Sequence, residues 1–352
     1  MNFLKNTWYV AAWSDEIADG KLFNRKILNE PIVFFRKQNG QVSAIGDRCP
    51  HRFASLHLGT LEDDCVSCPY HGLTFSSDGK CVHNPHGDGT IPRAAQVRFY
   101  VVEERYLAVW IWMGDPSLAD ATSIPDYSFL SEAKKTARTT GYLPTAANYE
   151  LVTDNIMDLS HVDFLHSSTL GGGAISRTNA QVKQIGDTIN IRWEAKNEVT
   201  PPYFRQHLSD PDSPCDLWTE VTWTAPGLML LSFGATPSGK PSETGYLAKA
   251  LHLMTPEDET NTHYFFANSR NVRTDDAEYN ANNYRVLLSI FAGEDKPMVE
   301  TQQKNMGTAD FWSLRPVLIA PDVGAVQVRR ALARLIQAEQ QSIAEATATA
   351  SH

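Results

Sequence analysis

The sequence predicts an α+β protein in which a small antiparallel β domain precedes a larger domain of antiparallel strands flanked by helices. Three observations predict this class. In the first third, short apolar runs are separated by the turn pairs Asn39-Gly40 and Asp78-Gly79, which favour hairpins. Gly114-Asp115-Pro116 then interrupts this pattern. Beyond it, strand-like runs are mixed with stretches of helical periodicity.

We predict a first domain over residues 1–114. Asn-Gly and Asp-Gly supply the positive φ angles of tight hairpin turns, so the apolar runs on either side of each pair are expected to form antiparallel strands. The predicted strands cover residues 32–36, 42–45, 73–75, 81–82, 97–102 and 107–112.

A second, larger domain is predicted over residues 115–352. Its expected strands are 189–193, 217–223, 228–233 and 263–266, and its expected helical stretches are 148–166, 276–291 and 324–340. In the last helix apolar residues recur with i, i+3, i+4 spacing, which is typical of a helix packed on one face. The small and polar residues from Gln341 onward predict a frayed end.

Composition excludes several classes of protein. The chain has 352 residues, 42 % hydrophobic and 20 % charged residues, and a formal net charge of -10, which is the wrong sign for a nucleic-acid binder. The longest apolar run, residues 106–113, is far shorter than the roughly 20 residues of a membrane-spanning helix. With no signal-peptide pattern at the N-terminus, we expect a cytoplasmic protein that binds neither membrane nor nucleic acid.

Four of the five cysteines lie between residues 49 and 81, among histidines. Cys49-Pro50-His51 and Cys68-Pro69-Tyr70-His71 each offer one thiolate and one imidazole, a set that suits tetrahedral zinc or a Rieske [2Fe-2S] cluster. The spacing favours the Rieske cluster. Cys65 forms a Cys-x2-Cys pair with Cys68 that could serve zinc or thiol chemistry, but the set is complete without it, so Cys65, Cys81 and Cys215 are predicted to be small buried thiols.

A second group of possible metal ligands lies between residues 155 and 166. On a continuous helix Asp158 and His161 would share a face, whereas the step to His166 turns roughly 140° further, so His166 requires a bend or a helix end. Residues 167–173 supply such an ending. Two histidines and a carboxylate form the 2-His-1-carboxylate site of Fe(II) oxygenases. The alternative is a pair of structural histidines on an acidic helix.

The cysteine motifs, Cys49-Pro-His51-Arg-Phe-Ala-Ser-Leu and Cys68-Pro-Tyr-His71-Gly-Leu, resemble the cluster-binding signature of the Rieske non-haem iron oxygenases. Within that family they are most similar to the vanillate O-demethylase, dicamba monooxygenase and toluenesulfonate methyl-monooxygenase type. Residues 8–12 and 81–87 point to the same subgroup. The chain departs from the family at Phe53, Ser55 and Leu73, where many members have Gly, Pro and Trp.

The resemblance implies a Rieske domain followed by a helix-grip (START-like) domain, and it implies which residues form the sites. It assigns the cluster to Cys49, His51, Cys68 and His71, and mononuclear Fe(II) to His161, His166 and Asp295. The adjacent Glu294 is the rival carboxylate, and the match of Lys296-Pro297 favours Asp295.

Further roles are implied for three residues near the iron. The resemblance places Asp158 between His161 and the cluster ligand His71 of a neighbouring subunit, which implies a head-to-tail homotrimer. Asn155 is expected close to the iron, and His252 is expected to donate a hydrogen bond to the substrate.

The sequence contains no Gly-x-Gly-x-x-Gly after a strand and no P-loop, so electrons from NAD(P)H are expected to arrive through a separate flavin and iron-sulfur reductase. The resemblance implies that O2 is the co-substrate and that a methyl group of a small aromatic carboxylate, similar to vanillate, is hydroxylated or removed. Ring dihydroxylation and N-demethylation on the same fold are alternatives. A Rieske electron carrier or a zinc-binding structural protein is an alternative of a different class.

Overall fold

The computed structural model describes residues 3–208 and 210–350. It contains two compact units. One is Lys5–Asp126, here called the N-terminal unit; the other begins at Tyr127, includes Phe3 and Leu4, and is called the C-terminal unit. The domain boundary after residue 114 stays a prediction.

The N-terminal unit consists of three small antiparallel sheets with the strand orders β1-β11-β10, β2-β3-β4-β9 and β5-β6-β7-β8. Both predicted hairpins are confirmed: β3 pairs with β4 and β7 pairs with β8, each antiparallel. Gly40 and Gly79 take the positive φ angles that these turns require. The strands are β1 Trp8–Trp13, β2 Leu22–Ile27, β3 Glu30–Arg36, β4 Val42–Gly46, β5 Thr60–Glu62, β6 Cys65–Ser67, β7 Thr74–Phe75, β8 Cys81–His83, β9 Phe99–Tyr100, β10 Val102–Arg105 and β11 Ala108–Trp112.

Cys49 and Cys68 belong to the hydrophobic core of the N-terminal unit. They pack in one cluster with buried side chains such as Phe35, Ile45 and Phe75. Because close-packed cores resist displacement, this packing fixes the positions of the two cysteine loops.

The C-terminal unit is built on one antiparallel sheet with the strand order β12-β18-β17-β16-β15-β14-β13. The strands are β12 Arg138–Thr145, β13 Gln181–Ile185, β14 Thr188–Glu198, β15 Cys215–Thr224, β16 Leu228–Pro237, β17 Tyr246–Pro256 and β18 Thr262–Arg270. The four strands predicted here are confirmed, as parts of β14, β15, β16 and β18. The strands β12, β13 and β17 were not predicted from the sequence.

Seven helices accompany this sheet in the described residues: α1 Ser128–Glu132, α2 Tyr149–Met157, α3 Val162–Leu165, α4 Pro202–Arg205, α5 Ala277–Ile290, α6 Lys296–Met306 and α7 Val323–Ala350. A π-helical turn, Phe291–Asp295, joins α5 to α6. The expected frayed end after Gln341 is wrong, because α7 continues to Ala350. Alanine, which occupies four of the ten positions from 341 to 350, is the strongest helix former.

The prediction of one helix over 148–166 is also wrong. The backbone leaves the helical conformation at Asp158, with φ -124° and ψ 94°. The Asp158 side chain accepts a hydrogen bond from the Ser160 N–H, which starts a short 3-10 turn that leads into α3. Aspartate favours this capping position because its oxygen replaces a missing backbone acceptor. Asp158 and His161 therefore do not lie on one continuous helical face.

A buried ion-pair group joins α7 to α2 and provides a stability test. Arg329 is 4 % exposed and pairs with Glu150 at 3.0 Å and with Asp154 at 2.7 Å. Arg329→Met leaves two largely buried carboxylates without a cation, so the free energy of unfolding is expected to fall by about 3–5 kcal/mol.

The measurement is urea unfolding followed by circular dichroism, with Arg334→Met as the control on the same helix. Arg334 pairs with Asp187 at 2.9 Å, but both side chains are more than half exposed, so this control should cost less than about 1 kcal/mol. Equal losses of unfolding free energy in the two variants would show that burial does not make the Arg329 ion pairs more important for stability than the exposed Arg334 pair.

Candidate active site

The two Cys–His loops of the N-terminal unit have matching backbone conformations. The Phe53 N–H donates to the Cys49 carbonyl at 2.9 Å, and the Gly72 N–H donates to the Cys68 carbonyl at 3.0 Å. Phe53 and Gly72 both have left-handed φ angles, of 62° and 73°. A left-handed backbone at Phe53 explains why glycine is common there in the family that the motif resembles.

The cysteine and histidine side chains of these loops differ in burial. Cys49 and Cys68 are 2 % and 3 % exposed, whereas His51 is exposed and His71 is half-buried. The two imidazole rings lie with their centroids 4.5 Å apart. Burial raises the pKa of the Cys49 thiol, and the adjacent Cys68 thiol raises this pKa further. Two sulfurs inside and two nitrogens outside form a donor set that suits a cluster with one sulfur-bound and one nitrogen-bound iron.

The three remaining cysteines lie outside this donor set. Cys81 and Cys215 are buried, as predicted, whereas Cys65 is only partly buried. Burial raises the pKa of the Cys65 thiol, and the neighbouring carboxylates of Asp64 and Asp63 raise it further. Cys65 lies in β6, outside the two matching loops, which supports the prediction that it is not a ligand.

A second donor set lies in the C-terminal unit. His161 ends the 3-10 turn that follows Asp158, and His166 is the first residue after α3. Their ring centroids are 5.2 Å apart. The expected helix end at His166 is thus present, and residues 167–173 follow it directly. The break at Asp158 and the short α3 together bring the two rings close to each other.

The carboxylate that faces both rings is Asp295, in the π-helical turn. Its Oδ1 lies 3.0 Å from Nε2 of His166 and 3.4 Å from Nε2 of His161. One ligand atom from each of these three residues lies within 4.8 Å of the others. A π-helical turn changes which side chains face inward, and such turns are frequent at functional sites. Here the turn carries Asp295, which is 8 % exposed, to the two histidines.

The adjacent carboxylate, Glu294, contacts the other nitrogen of one ring. Its Oε2 lies 2.7 Å from Nδ1 of His166. Nδ1 of His161 lies 2.6 Å from the backbone carbonyl of Asp158. A carbonyl only accepts, so Nδ1 of His161 donates to it, and Nε2 of His161 faces Asp295. The structure thus separates the two carboxylates that the sequence left as rivals.

Charge in this group favours a bound cation. Burial opposes a charged His166, but its contacts with Asp295 and Glu294 outweigh burial and raise the pKa of His166. Burial likewise opposes the ionised Asp295, but its contacts with His161 and His166 prevail and lower its pKa. Two imidazole nitrogens and one carboxylate oxygen facing a common point form the donor set of non-haem Fe(II) sites.

Two further predicted residues lie beside this group. Asn155, in the last turn of α2, places Nδ2 3.2 Å from Oδ1 of Asp295 and 3.5 Å from Nε2 of His161. Asp158 contacts His161 through its backbone carbonyl, whereas its carboxylate accepts from the Ser160 N–H. The role predicted for the Asp158 carboxylate, between His161 and a neighbouring subunit, stays a prediction.

A mostly apolar cavity of about 130 Å³ adjoins the three residues. His161, His166 and Asp295 are part of its wall, and the strands of the sheet supply aromatic and aliphatic side chains such as Phe233, Phe266 and Leu231. His252 also lines the cavity and is 1 % exposed. The cavity thus places an apolar ligand directly against the three candidate metal ligands.

Comparison with known proteins identifies the family. Residues 7–100 match the model described as Rieske [2Fe-2S] domain, and residues 145–338 match the model described as vanillate O-demethylase oxygenase C-terminal domain. The chain belongs to the Rieske non-haem iron oxygenases of the vanillate O-demethylase type.

Characterised relatives match this Rieske oxygenase along nearly its whole length. The oxygenase component of chloroacetanilide N-alkylformylase from Rhizorhabdus wittichii is 42 % identical, over 96 % of this chain and 97 % of the relative. The oxygenase component of dicamba O-demethylase from Stenotrophomonas maltophilia is 36 % identical over 96 % and 99 %. The vanillate O-demethylase oxygenase subunit of a Pseudomonas species is 35 % identical over 97 % of both chains.

Solved structures confirm the predicted fold class of this Rieske oxygenase. Dicamba monooxygenase bound to 3,6-dichlorosalicylic acid superposes with a TM-score of 0.89 at 35 % identity, covering 97 % of this chain and 99 % of that one. Dicamba monooxygenase with non-haem iron and dicamba gives 0.81 at 34 % identity, covering 97 % and 100 %.

The Rieske oxygenase is the oxygenase component of a monooxygenase system, and its cofactors are a Rieske [2Fe-2S] cluster and a mononuclear iron. This excludes the alternative of a zinc-binding structural protein. Among the helices of residues 3–208 and 210–350, none has the length and hydrophobicity needed to cross a bilayer.

Two polar contacts of the site, one to His166 and one to His252, were not predicted from the sequence. The bond from Glu294 to Nδ1 of His166 was not predicted, although the adjacent acidic pair was noted. The Tyr264 hydroxyl lies 2.6 Å from Nδ1 of His252 and was also missed. Both contacts join residues that are not neighbours in the chain, so no local spacing could reveal them.

Proposed function

We propose that this Rieske oxygenase oxidises an alkyl carbon attached through oxygen or nitrogen to an aromatic ring, so that the alkyl group leaves as an aldehyde. The observation that carries this proposal is the group His161, His166 and Asp295 in the wall of an apolar cavity. The relatives named as O-demethylases and as an N-alkylformylase support dealkylation.

His161, His166 and Asp295 are proposed to hold the mononuclear iron, and Cys49, His51, Cys68 and His71 are proposed to hold the cluster. When bound, the cluster supplies single electrons and the iron activates dioxygen. Nδ1–H of each proposed iron-binding imidazole donates a hydrogen bond, to the Asp158 carbonyl or to Glu294, and these bonds orient the rings so that each Nε2 faces the metal position. Asn155, which donates to Asp295, is proposed to hold that carboxylate in place.

His252 is proposed to contact the substrate. Tyr264 is buried in contact with His252, and a phenol whose proton had no acceptor would be costly at this depth, so the Tyr264 O–H donates to Nδ1. Nε2 then carries a proton, and it has no hydrogen-bond partner among the described residues. It is a donor available to an acceptor on a bound ligand.

We propose that the chain functions as a head-to-tail homotrimer with a separate flavin and iron-sulfur reductase. In the trimer Asp158 would lie between His161 and His71 of the neighbouring subunit. The exposed apolar side chains of Met298 and Leu318 line one groove together with Asp158, which supports an interface at this place. Sedimentation velocity distinguishes a trimer from a monomer.

The test uses the iron-loaded oxygenase with a reductase, NADH and a methoxyarene in ¹⁸O₂. Dealkylation converts ArOCH₃, O₂, NADH and H⁺ into ArOH, HCHO, H₂O and NAD⁺. We expect one formaldehyde for each phenol, with the phenol oxygen unlabelled because the aryl–oxygen bond stays intact. A ring diol carrying two labelled oxygens would show dihydroxylation instead. His161→Ala, which lacks a proposed iron ligand, is the control and should give no formaldehyde.

A further inference from the structure

The substrate cavity has an unusual distribution of charge. Among the described residues that line it, there is no Lys and no Arg. The ionisable carboxylates in the lining are Asp163 and Asp295, and the imidazoles are His161, His166 and His252. Asp295 and the first two histidines are proposed iron ligands. A ligand carboxylate would therefore find no lysine or arginine side chain in this lining.

The strand β18 does continue to a buried cation, Arg270, two residues beyond the cavity-lining Asn268. Its guanidinium lies 4.6 Å from the ring centroid of Tyr279. One of its terminal nitrogens donates to the backbone carbonyl of Thr136 at 2.9 Å and the other donates to Asn280. These contacts engage both terminal nitrogens of Arg270, and Arg270 is not among the residues that line the cavity.

Apart from the Asp163 carboxylate, which accepts hydrogen bonds from three backbone N–H groups, the polar groups that remain in the lining are neutral. Burial lowers the pKa of His252 to about 4, so its ring is uncharged at neutral pH. Oδ1 of Asn268, which is 2 % exposed, has no hydrogen-bond partner among the described residues. A buried polar atom without a partner is costly unless a ligand or water satisfies it. The side chains of the lining therefore offer hydrogen bonds but no cation, and the two positive charges of a bound Fe(II) would be matched in number by the Asp295 and Asp163 carboxylates of the same lining.

We infer that the substrate of this oxygenase is an uncharged aromatic compound whose polar group, such as an amide carbonyl, accepts a hydrogen bond from His252, and that aromatic carboxylates are poor ligands. This inference rests on the proposed function, because it concerns the same cavity. Its physical basis is that an ion moved from water into an apolar site without a partner is destabilised, whereas a neutral acceptor that gains a hydrogen bond is not.

The test compares 3-methoxybenzamide with 3-methoxybenzoate, which have nearly the same shape but differ in charge. Anaerobic calorimetry on the iron-loaded enzyme measures both affinities at pH 6, 7 and 8. The acid must enter in its protonated form. A carboxyl pKa of about 4 leaves about one molecule in 10³ protonated at pH 7, so the acid should bind about 10³-fold more weakly than the amide.

The pH dependence separates charge from shape. We expect the affinity for the acid to fall about tenfold per pH unit and the affinity for the amide to stay constant, because His252 remains neutral over this range. Acid binding as tight as amide binding, or independent of pH, overturns the inference. Failure of the amide to bind also overturns it.

A pair of variants tests whether the lack of a cation in the cavity disfavours binding of the acid. Leu231 lines the cavity and pairs with Ala250 across the strands, so Leu231→Lys adds a positive charge to this face, and Leu231→Met is the uncharged control. We expect only the lysine variant to gain affinity for the acid, by about tenfold or more. An unchanged preference in a folded lysine variant contradicts the inference.

These binding measurements need no turnover, so they test the inference about charge separately from the proposed function. Dealkylation of the acid and not of the amide would overturn the inference about charge and leave dealkylation standing. Tight binding of the amide with a ring diol as the product would overturn dealkylation and leave the inference about charge standing.

Discussion

Asp295→Asn is expected to remove the mononuclear iron and abolish dealkylation while leaving the cluster intact. The amide is a weaker ligand than a carboxylate, and the variant removes the negative charge that faces both Nε2 atoms. Iron content should fall from about three to about two atoms per chain, since the cluster keeps its own two. Metal analysis with electron paramagnetic resonance of the reduced protein measures both sites.

Glu294→Ala is the matched control from the next position in the chain. Glu294 contacts only the far nitrogen of the His166 ring in this group, so its loss should weaken iron affinity by about 10–100-fold without preventing saturation at high iron concentration. If Glu294→Ala lost the iron at all concentrations while Asp295→Asn retained it, the two carboxylates would have exchanged roles.

Cys68→Ser is expected to prevent assembly of the cluster. Cys68 is 3 % exposed beside Cys49, and serine is a poor replacement for a soft thiolate at iron. Acid-labile sulfide and the Rieske signal in electron paramagnetic resonance should both disappear, and electron delivery to the C-terminal unit should stop.

Cys65→Ser provides the comparison, because Cys65 is three residues away and lies in β6 outside the two matching loops. Its sulfide content and spectrum should remain those of the unchanged protein. Loss of the cluster in this variant would indicate that Cys65 and Cys68 bind metal as a Cys-x2-Cys pair. It would overturn the assignment of the cluster to Cys49, His51, Cys68 and His71.

Local patterns in the sequence predicted much of the fold. Turn pairs located hairpins because a tight turn depends on two adjacent residues, and strand-like runs located parts of β14, β15, β16 and β18. The strand β17 was missed because alanine, leucine, lysine and methionine favour helices, and pairing with β16 and β18 overrides that preference. The helix break at Asp158 was missed because aspartate is also tolerated inside helices.

The sequence by itself predicted the two Cys–His loops and the histidine pair, because each lies within a short segment whose spacing is chemically distinctive, whereas Asp295 followed only from the family resemblance. Only the tertiary structure decided how distant segments combine. It brought Asp295 to His161 and His166, gave Glu294 the other nitrogen of His166, and surrounded the cavity with described side chains that include no lysine or arginine. Such contacts depend on packing between elements far apart in the chain, which no local spacing encodes.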